Sequence, residues 1–558
     1  MRIGQKEYCN AISYTLGLNI VFLFFYLILG SGRQASLDDC IMSSILTGAN
    51  GSQYDSHLYF INAVYGFFLK PFYILFPEVG WYFIIEIAEV FVSFVVLTYF
   101  ILKHVDARFG LVSAVFFLTC FSPDFYFNCD FTHCAAALTS SGIMLIFFGE
   151  KEKNRIYLSF APLFLVAGFV MRKEEFLLGL PFLGSALFVA LVNRRVLYKG
   201  TVISLIVSGV LALGLYSFDK GLYTNEEYTY YAEYQPVRAV FGDGAYYDAE
   251  AVYDELEERG ESGLDFRLLK EWLFYDTEVF SLQKLQHLAK IVQRNLYEPN
   301  WMRFPVAFFK VLSDSLMTPL AWCWVVSCLM LLSFSSRKKR YYPWISFALI
   351  AMCFAYLLLV NRIVLHVESG IWLYATICFI PFFVNIDLPS SCRTKWVCLL
   401  MILASILLYS LSFHAMKSLV KDKIFWPKQD EPEYWEELQN YIETHTDAVF
   451  FLPLEPYQRL VTYKNYGLKS ITPGSWSNLF PLGFWNVNLP GMKRDIEKYG
   501  IKNPLKDITK DNVYVVSVNE ELNIKQFHEI HYGSKIEIDT VMTFSPVNIL
   551  KFYDRREP

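Results

Sequence analysis

Charge is scarce in this chain. Lys, Arg, Asp and Glu together supply 18% of 558 residues while 54% are apolar, a balance too greasy for a soluble protein of this length. The net charge of −5 is close to neutral and unevenly spread, and gives no sign of a nucleic-acid partner. Cysteine is unevenly used: all eleven lie at or before Cys398, and none falls within residues 219–300. With no Cys-x-x-Cys and no Cys/His run of zinc spacing, neither a disulfide framework nor a structural metal is expected. A cleavable signal is lacking too. The first apolar stretch, 11–30, has no small-residue cleavage site and is long enough to remain as a spanning helix. No internal repeat is evident, which counts against a transporter built from matched halves.

What the chain has instead is a series of apolar runs rich in aromatics, with 50 Phe and 37 Tyr, as suits contact with lipid and headgroups. Each span needs ~20 apolar residues, which predicts about eleven transmembrane helices. They fall at 11–30, 81–102, 109–122, 132–149, 156–171, 175–192, 200–218, 316–335, 342–360, 371–386 and 396–415. Alternate connections carry the cations: Arg2 and Lys6; Lys103 and Arg108; Lys151, Lys153 and Arg155; Arg194, Arg195 and Lys199; 337–340; Arg393 and Lys395. An excess of Lys and Arg marks the cytoplasmic side, so the N-terminus is expected inside and residues 416–558 outside, in the plasma membrane.

Three outside pieces exceed mere connectors. Residues 31–80 hold a short helix at 37–46, a Gly/Asn turn, and an apolar helix from Leu58 towards Phe76. Pro71 and Pro77 interrupt that second helix, so it is expected to lie along the interface and not to cross it. Residues 219–303 are acidic and Tyr-rich, with amphipathic helices at 266–274 and 282–295. The tail reads as helices at 432–444 and 520–530 with strands at 448–452, 513–518, 536–544 and 548–553. The expected fold class is an all-α polytopic membrane bundle over 1–415, followed by a small extracytoplasmic α/β domain over 416–558.

Acids, bases and imidazoles gather on the outer side. Asp38 and Asp39 follow the first span in SLDDCIMSSILTGANG, with Asp55 and His57 shortly after. The next outer loops carry Asp124, Asp130, Thr132 and His133, then Arg172, Lys173, Glu174 and Glu175, then Arg362, His366 and Glu368. Glu86 and Glu89 share one face of the second span. Each group has an ordinary explanation in a capping aspartate, a solvated loop or an arginine snorkelling to headgroups. Four outer loops of one bundle carrying such groups are better explained by a shared cleft opening outward.

An inside N-terminus, one span and a long outer loop opening on an aspartate pair resembles the GT-C superfamily of membrane glycosyltransferases. More narrowly, the chain looks like a large group of bacterial polytopic proteins assigned to it. The resemblance rests on LDD at Leu37, Asp38 and Asp39, the spaced Gly48 and Gly51, and the FINAVYGFFLKPFYILFP stretch with Trp81 and Tyr82. Further along it rests on FTH ending at His133, on Arg172, and on YAEYQPVRAVFGD ending at Asp243.

The resemblance implies a sugar donor on a polyprenyl phosphate, reached through the lipid bilayer, and an acceptor glycan, lipid or protein outside. Asp38 or Asp39 acts as general base in an inverting displacement. Arg172 and Arg362 are the candidate phosphate ligands, assisted by Lys173 or His366. Asp55, His57, His133, Glu174 and Arg238 complete the expected substrate-binding set. No cofactor is required, although Asp38, Asp39, Asp55 and His57 are able to hold a divalent ion. Consecutive helical residues point about 100° apart, so only one of the two aspartates is expected to face the cleft centrally. The rival from another class is a proton-coupled transporter or flippase of cell-envelope intermediates, with Glu86 and Glu89 relaying protons. A third reading is a scaffold whose tail binds cell-wall material.

Overall fold

The computed structural model describes residues 5–29, 34–51, 53–105, 107–194, 196–242, 247–296, 302–334, 340–360, 362–383, 399–411, 432–464, 467–519 and 521–554. Its first helices are α1 (Gln5–Leu29), α2 (Leu37–Thr47), α3 (Ala63–Leu75), α4 (Trp81–His104), α5 (Ala107–Phe127) and α6 (Phe131–Glu152). There follow α7 (Arg155–Met171), α8 (Lys173–Arg194), α9 (Lys199–Leu222), α10 (Glu226–Gly242), α11 (Ala249–Glu258), α12 (Gly263–Lys270) and α13 (Leu282–Arg294). Then come α14 (Phe304–Leu316), α15 (Pro319–Phe334), α16 (Tyr342–Leu359), α17 (Leu365–Ile377), α18 (Ile380–Phe383) and α19 (Leu399–Leu411).

Among the described residues eight helices are long and apolar enough to cross a membrane. The pair α14 and α15, bent by 88°, makes a ninth if taken as one broken span. The shorter apolar helices α7 and α19 stand where further spans were expected. Their outer faces expose large apolar side chains: Phe24, Phe25 and Ile28 on α1, Ile203, Ile206 and Val210 on α9, Met352 and Tyr356 on α16. Faces of this kind are costly in water and neutral in lipid. The protein is a multi-pass membrane protein.

The core of the bundle is α6, buried along nearly all of its length and packed by α4, α7, α8 and α17. Ala135, Ala136, Ala137, Ser140, Ser141 and Gly142 keep its surface low, so neighbouring backbones approach closely. A Cβ on Gly142 would lie 2.6 Å from Leu165 Cγ, too close for any other residue without movement.

Two expectations are corrected here. α3 runs through Pro71 and ends at Leu75; the proline removes one backbone hydrogen bond, to Phe67, without ending the helix. The outer polar groups also belong mainly to helix ends, not loops. Asp124 is inside α5, Thr132 and His133 open α6, Lys173 to Glu175 open α8, and His366 and Glu368 open α17. At α6 the reason is local: Asp130 occupies the N-cap and accepts the His133 backbone N–H at 2.8 Å, fixing where the helix begins.

The tail builds a five-stranded sheet from β1 (Val449–Leu452), β2 (Leu479–Pro481), β3 (Val513–Ser517), β4 (Ile536–Phe544) and β5 (Val547–Asp554), in the order β2-β1-β3-β5-β4. β1 is parallel to β2 and β3, while β5 is antiparallel to β3 and β4. Helices α20 (Pro432–Thr444), α21 (Leu454–Lys464), α22 (Pro490–Glu497) and α23 (Leu522–His531) accompany it. β2 escapes the sequence pattern because it is three residues long. Arg2, Arg195, Asp243, 337–339, Arg393, Lys395 and the boundary at 415–416 lie outside the described residues.

The three large polar pieces share one end of the bundle. Trp476 donates its backbone N–H to Ala49 O at 2.7 Å, and Asn50 Nδ2 donates to Leu479 O at 2.6 Å. Tyr231 donates its hydroxyl to Trp485 O at 3.1 Å, and His531 Nε2 meets Asp265 Oδ1 at 2.7 Å. The segment between α1 and α4, the segment after α9 and the tail domain therefore form one layer at this end of the bundle.

Candidate functional site

The first turn of α2 carries both aspartates. Asp39 is fully buried and accepts the Tyr82 hydroxyl at 2.6 Å. Among the described residues its other oxygen has no hydrogen-bond partner, while the Phe131 backbone amide acts on the carboxylate. Burial and the neighbouring Asp130 carboxylate hold Asp39 well above the usual carboxylate range, partly offset by Tyr82. Asp38 is half-buried and accepts the Trp485 indole N–H at 3.0 Å. The helical step thus turns Asp39 into the bundle and Asp38 towards the tail domain.

Below Asp39 lies a network centred on His133, which is buried between two carboxylates. Its Nδ1 meets Asp130 Oδ1 at 2.9 Å and its Nε2 meets Asp124 Oδ2 at 3.1 Å. Asn128 Nδ2 donates to Asp124 Oδ1 at 2.9 Å, and the Ser369 hydroxyl donates to Asp124 Oδ2. His366 Nδ1 approaches Asp130 Oδ2 at 3.6 Å. Burial opposes the ionised form of Asp130, but the His133 and His366 imidazoles outweigh it and hold the group below the usual carboxylate range. Glu86 on α4 interacts with Asp39 and Asp130, is wholly buried, and has no hydrogen-bond partner on either oxygen among the described residues.

Arg172 caps the C-terminus of α7, beside this network. Its guanidinium lies over the Phe131 ring at 4.9 Å and donates to Thr132 Oγ1. Phe131 therefore stands between the two chemistries, with its amide beside Asp39 and its ring under Arg172.

No family profile and no curated protein matches the chain. Among solved structures it is similar to an oligosaccharyltransferase from Archaeoglobus fulgidus in the apo form, with 13% identity and a TM-score of 0.43 over 91% of this chain and 69% of that one. It is also similar to ArnT from Cupriavidus metallidurans bound to undecaprenyl phosphate, with 10% identity and a TM-score of 0.41 over 96% of this chain and 98% of that one. Likenesses of this degree do not fix a family, and the geometry has to speak for itself.

Of the residues singled out by sequence, Asp39, Glu86, Asp124, Asp130, Thr132, His133, Arg172, Glu175 and His366 come together, with Asp38 at their edge. Several of the others do not join them. Asp55 and His57 pair with each other, and Tyr228 of α10 donates its hydroxyl to Asp55. Lys173 and Glu174 are exposed and pair mutually at 3.5 Å. Arg362 is exposed, and its guanidinium makes no ion pair among the described residues. Arg238 is buried inside the outer layer, stacked over Trp272 at 4.3 Å with its Nε donating to Gln235 Oε1 at 3.2 Å. It is a packing cation there, and Trp272 beneath it stacks on Phe484, the neighbour of Trp485. The cleft expected to open outward is closed at its floor, since Asp39, Asp130, His133 and Glu86 are all buried. A separate apolar cavity lies at the opposite end of the bundle, lined by residues such as Phe117, Met330 and Ile380.

Sequence reasoning missed the partners that orient these groups: Trp485 on Asp38, Tyr82 on Asp39, Ser369 on Asp124 and Tyr228 on Asp55. Tyr82 stood in the WY pair already noted, but nothing in the sequence pairs Trp485 with a residue 447 positions away.

Proposed function

We propose that this protein is a membrane glycosyltransferase that moves a sugar from a polyprenyl-phosphate donor to an extracytoplasmic acceptor with inversion. The observation carrying this reading is the juxtaposition across Phe131 of a buried carboxylate, Asp39, and a guanidinium, Arg172. The acceptor hydroxyl gives its proton to the carboxylate as its oxygen attacks the anomeric carbon. The bond to the lipid phosphate breaks on the opposite face, and the guanidinium offsets the phosphate charge through paired N–H donors. A carboxylate pushed above its ordinary range is a stronger base than a solvated one. Asp38, held by Trp485, is the alternative base on the acceptor side. Cation placement in the sequence supports the outside position of this end of the bundle.

The test uses membranes containing the full chain, polyprenyl-phosphate sugars and surface-glycan acceptors, with the anomeric configuration of the product read by NMR. A retained configuration would exclude single displacement, and no transfer with any lipid-linked sugar would exclude the class. The unpartnered Glu86 carboxylate favours the other reading, a proton-coupled transporter or flippase. Proton uptake by proteoliposomes on addition of a lipid-linked substrate, abolished by Glu86→Gln, would put that reading first.

A further inference from the structure

Helix α14 carries three surfaces where a helix on the outside of a soluble protein has two. At about 100° per residue its side chains fall into three stripes whose centres lie roughly 120° apart. The first is packed: Leu312 and Ser315 are buried and Phe308 and Val311 half-buried, against α15 and α16. The second is apolar and exposed. It runs through Pro305, Val306 and Phe309, with Val306 70% and Phe309 66% accessible, and is interrupted by Ser313. Met302 and Met317 flank the helix at its two ends, 91% and 74% accessible. The third stripe is exposed and charged, with Arg303 at the N-cap followed by Lys310 and Asp314.

Packing explains the first stripe and water the third, but an apolar stripe left open beside a charged one calls for lipid. The bend fixes the direction of the helix. α15 is apolar along its length and packs on α5 and α17, both of which are able to span, so α15 crosses the membrane with them. Standing at 88° to α15, α14 runs parallel to the membrane surface. We propose that α14 is an in-plane membrane helix, with Val306 and Phe309 among the acyl chains of the leaflet on the cluster side and Arg303 and Lys310 level with its headgroup phosphates. α14 and α15 are then an interfacial helix followed by a span, and not one broken span.

The chemistry of the stripes selects this partner. Long cationic side chains beside an apolar stripe reach back to phosphates while the stripe stays in hydrocarbon. The surface is continuous with one already lipid-facing, because α14 packs on α16, whose Met352 and Tyr356 are exposed. The far end of α14 is tied to the polar cluster. Ser315 Oγ donates to Glu368 Oε2 at 2.6 Å and accepts the Trp372 indole N–H at 2.8 Å. Glu368 and Trp372 belong to α17, the helix whose His366 approaches Asp130 and whose Ser369 donates to Asp124. The leaflet thus sets the depth of the cluster through Ser315, at headgroup level, where a group carried on a lipid phosphate is presented. The placement of α14 is the same for a transferase and a transporter; only the naming of the lipid-borne group as a sugar rests on the transferase reading.

The experiment uses the full chain in nanodiscs of phosphatidylethanolamine and phosphatidylglycerol, with Cys9, Cys392 and Cys398 replaced by Ser. Val306→Cys, Phe309→Cys, Asp314→Cys and Met317→Cys each receive a nitroxide, at exposed positions where folding is not at stake. Relaxation by oxygen reports lipid, relaxation by a water-soluble nickel chelate reports water, and their ratio gives depth. The labels at Val306, Phe309 and Met317 should meet oxygen, be shielded from nickel and share one depth, while the label at Asp314 meets nickel. A broken span would instead separate Val306 from Met317 by about 16 Å of depth, and such a gradient overturns the proposal. Nickel reaching all four labels would put the helix in water, and exclusion of both reagents would put it against protein; either result overturns it too. A label at exposed Val364, one turn before Glu368, should lie level with α14 or nearer water, and a deeper one overturns the headgroup-level placement of the cluster. Failure to find transfer of any sugar would sink the enzyme reading and leave these depths unchanged.

Discussion

The indole N–H of Trp485 donates to Asp38 Oδ1 at 3.0 Å, so the tail domain holds one member of the aspartate pair in place. Trp485→Phe keeps the ring contact with Phe60 (centroids 4.9 Å apart) and removes only the donor. If Asp38 takes part in turnover, that change should lower kcat about tenfold, the effect of a lost hydrogen bond to a charged group, with folding intact by thermal melting. An unchanged kcat would mean that the contact serves docking of the domain alone.

Asn matches Asp in size and in helix-capping ability but cannot accept a proton at neutral pH. Asp39→Asn should cost ~10²–10⁴-fold in turnover if Asp39 is the base, and Asp38→Asn less. The reverse ranking would move the base to the tail-domain side. Two fully active Asn variants would remove the pair from the mechanism.

The pH dependence follows from the Asp39 environment. Its folded value lies above that of a free carboxylate, so the protonated form is favoured on folding. Stability from this group is present at low pH and lost as pH rises through the folded value. Asp39→Asn should therefore melt no lower than the wild type at neutral pH, while activity disappears. For a base, kcat/KM falls on acidification at a higher pH than an ordinary aspartate would give. Tyr82→Phe removes the hydroxyl that favours the ionised form, so this acid limb should move further up in pH. A limb that stays in place in Tyr82→Phe assigns the titration to another group.

Arg172 touches Phe131 and Thr132 at the site, whereas Arg362 is exposed. Lysine keeps the charge but loses the planar fork. Arg172→Lys should impair use of the lipid-linked donor with expression intact, and Arg362→Lys should behave as the wild type. Equal activity of both would reduce Arg172 to a headgroup anchor.

Orientation is checked by cysteine labelling, since the described native cysteines are buried. Cysteines at the exposed Glu258 and Thr540 should react with a membrane-impermeant thiol reagent in intact cells, and those at Arg155 and Tyr341 only after lysis. The opposite pattern would invert the topology and remove an extracytoplasmic acceptor.

The sequence by itself determined the elements. Runs of ~20 apolar residues can only be satisfied as helices in lipid, so the spans were legible, as were α2 and four of the five strands. It also placed Asp38, Asp39, His133, Arg172 and His366 at span ends, because an ionisable group near lipid needs a reason to be there. Only the tertiary structure decided which of them meet. Short motifs carry no information on the rotation of one helix against another, and that rotation is set by the small-residue surface of α6 packed on four neighbours. It separated Arg238 and Arg362 from the cluster, turned Asp39 inward and Asp38 outward, and brought Trp485 across 447 residues to reach it. Contacts so distant in the chain arise from packing of whole elements, which no local pattern encodes.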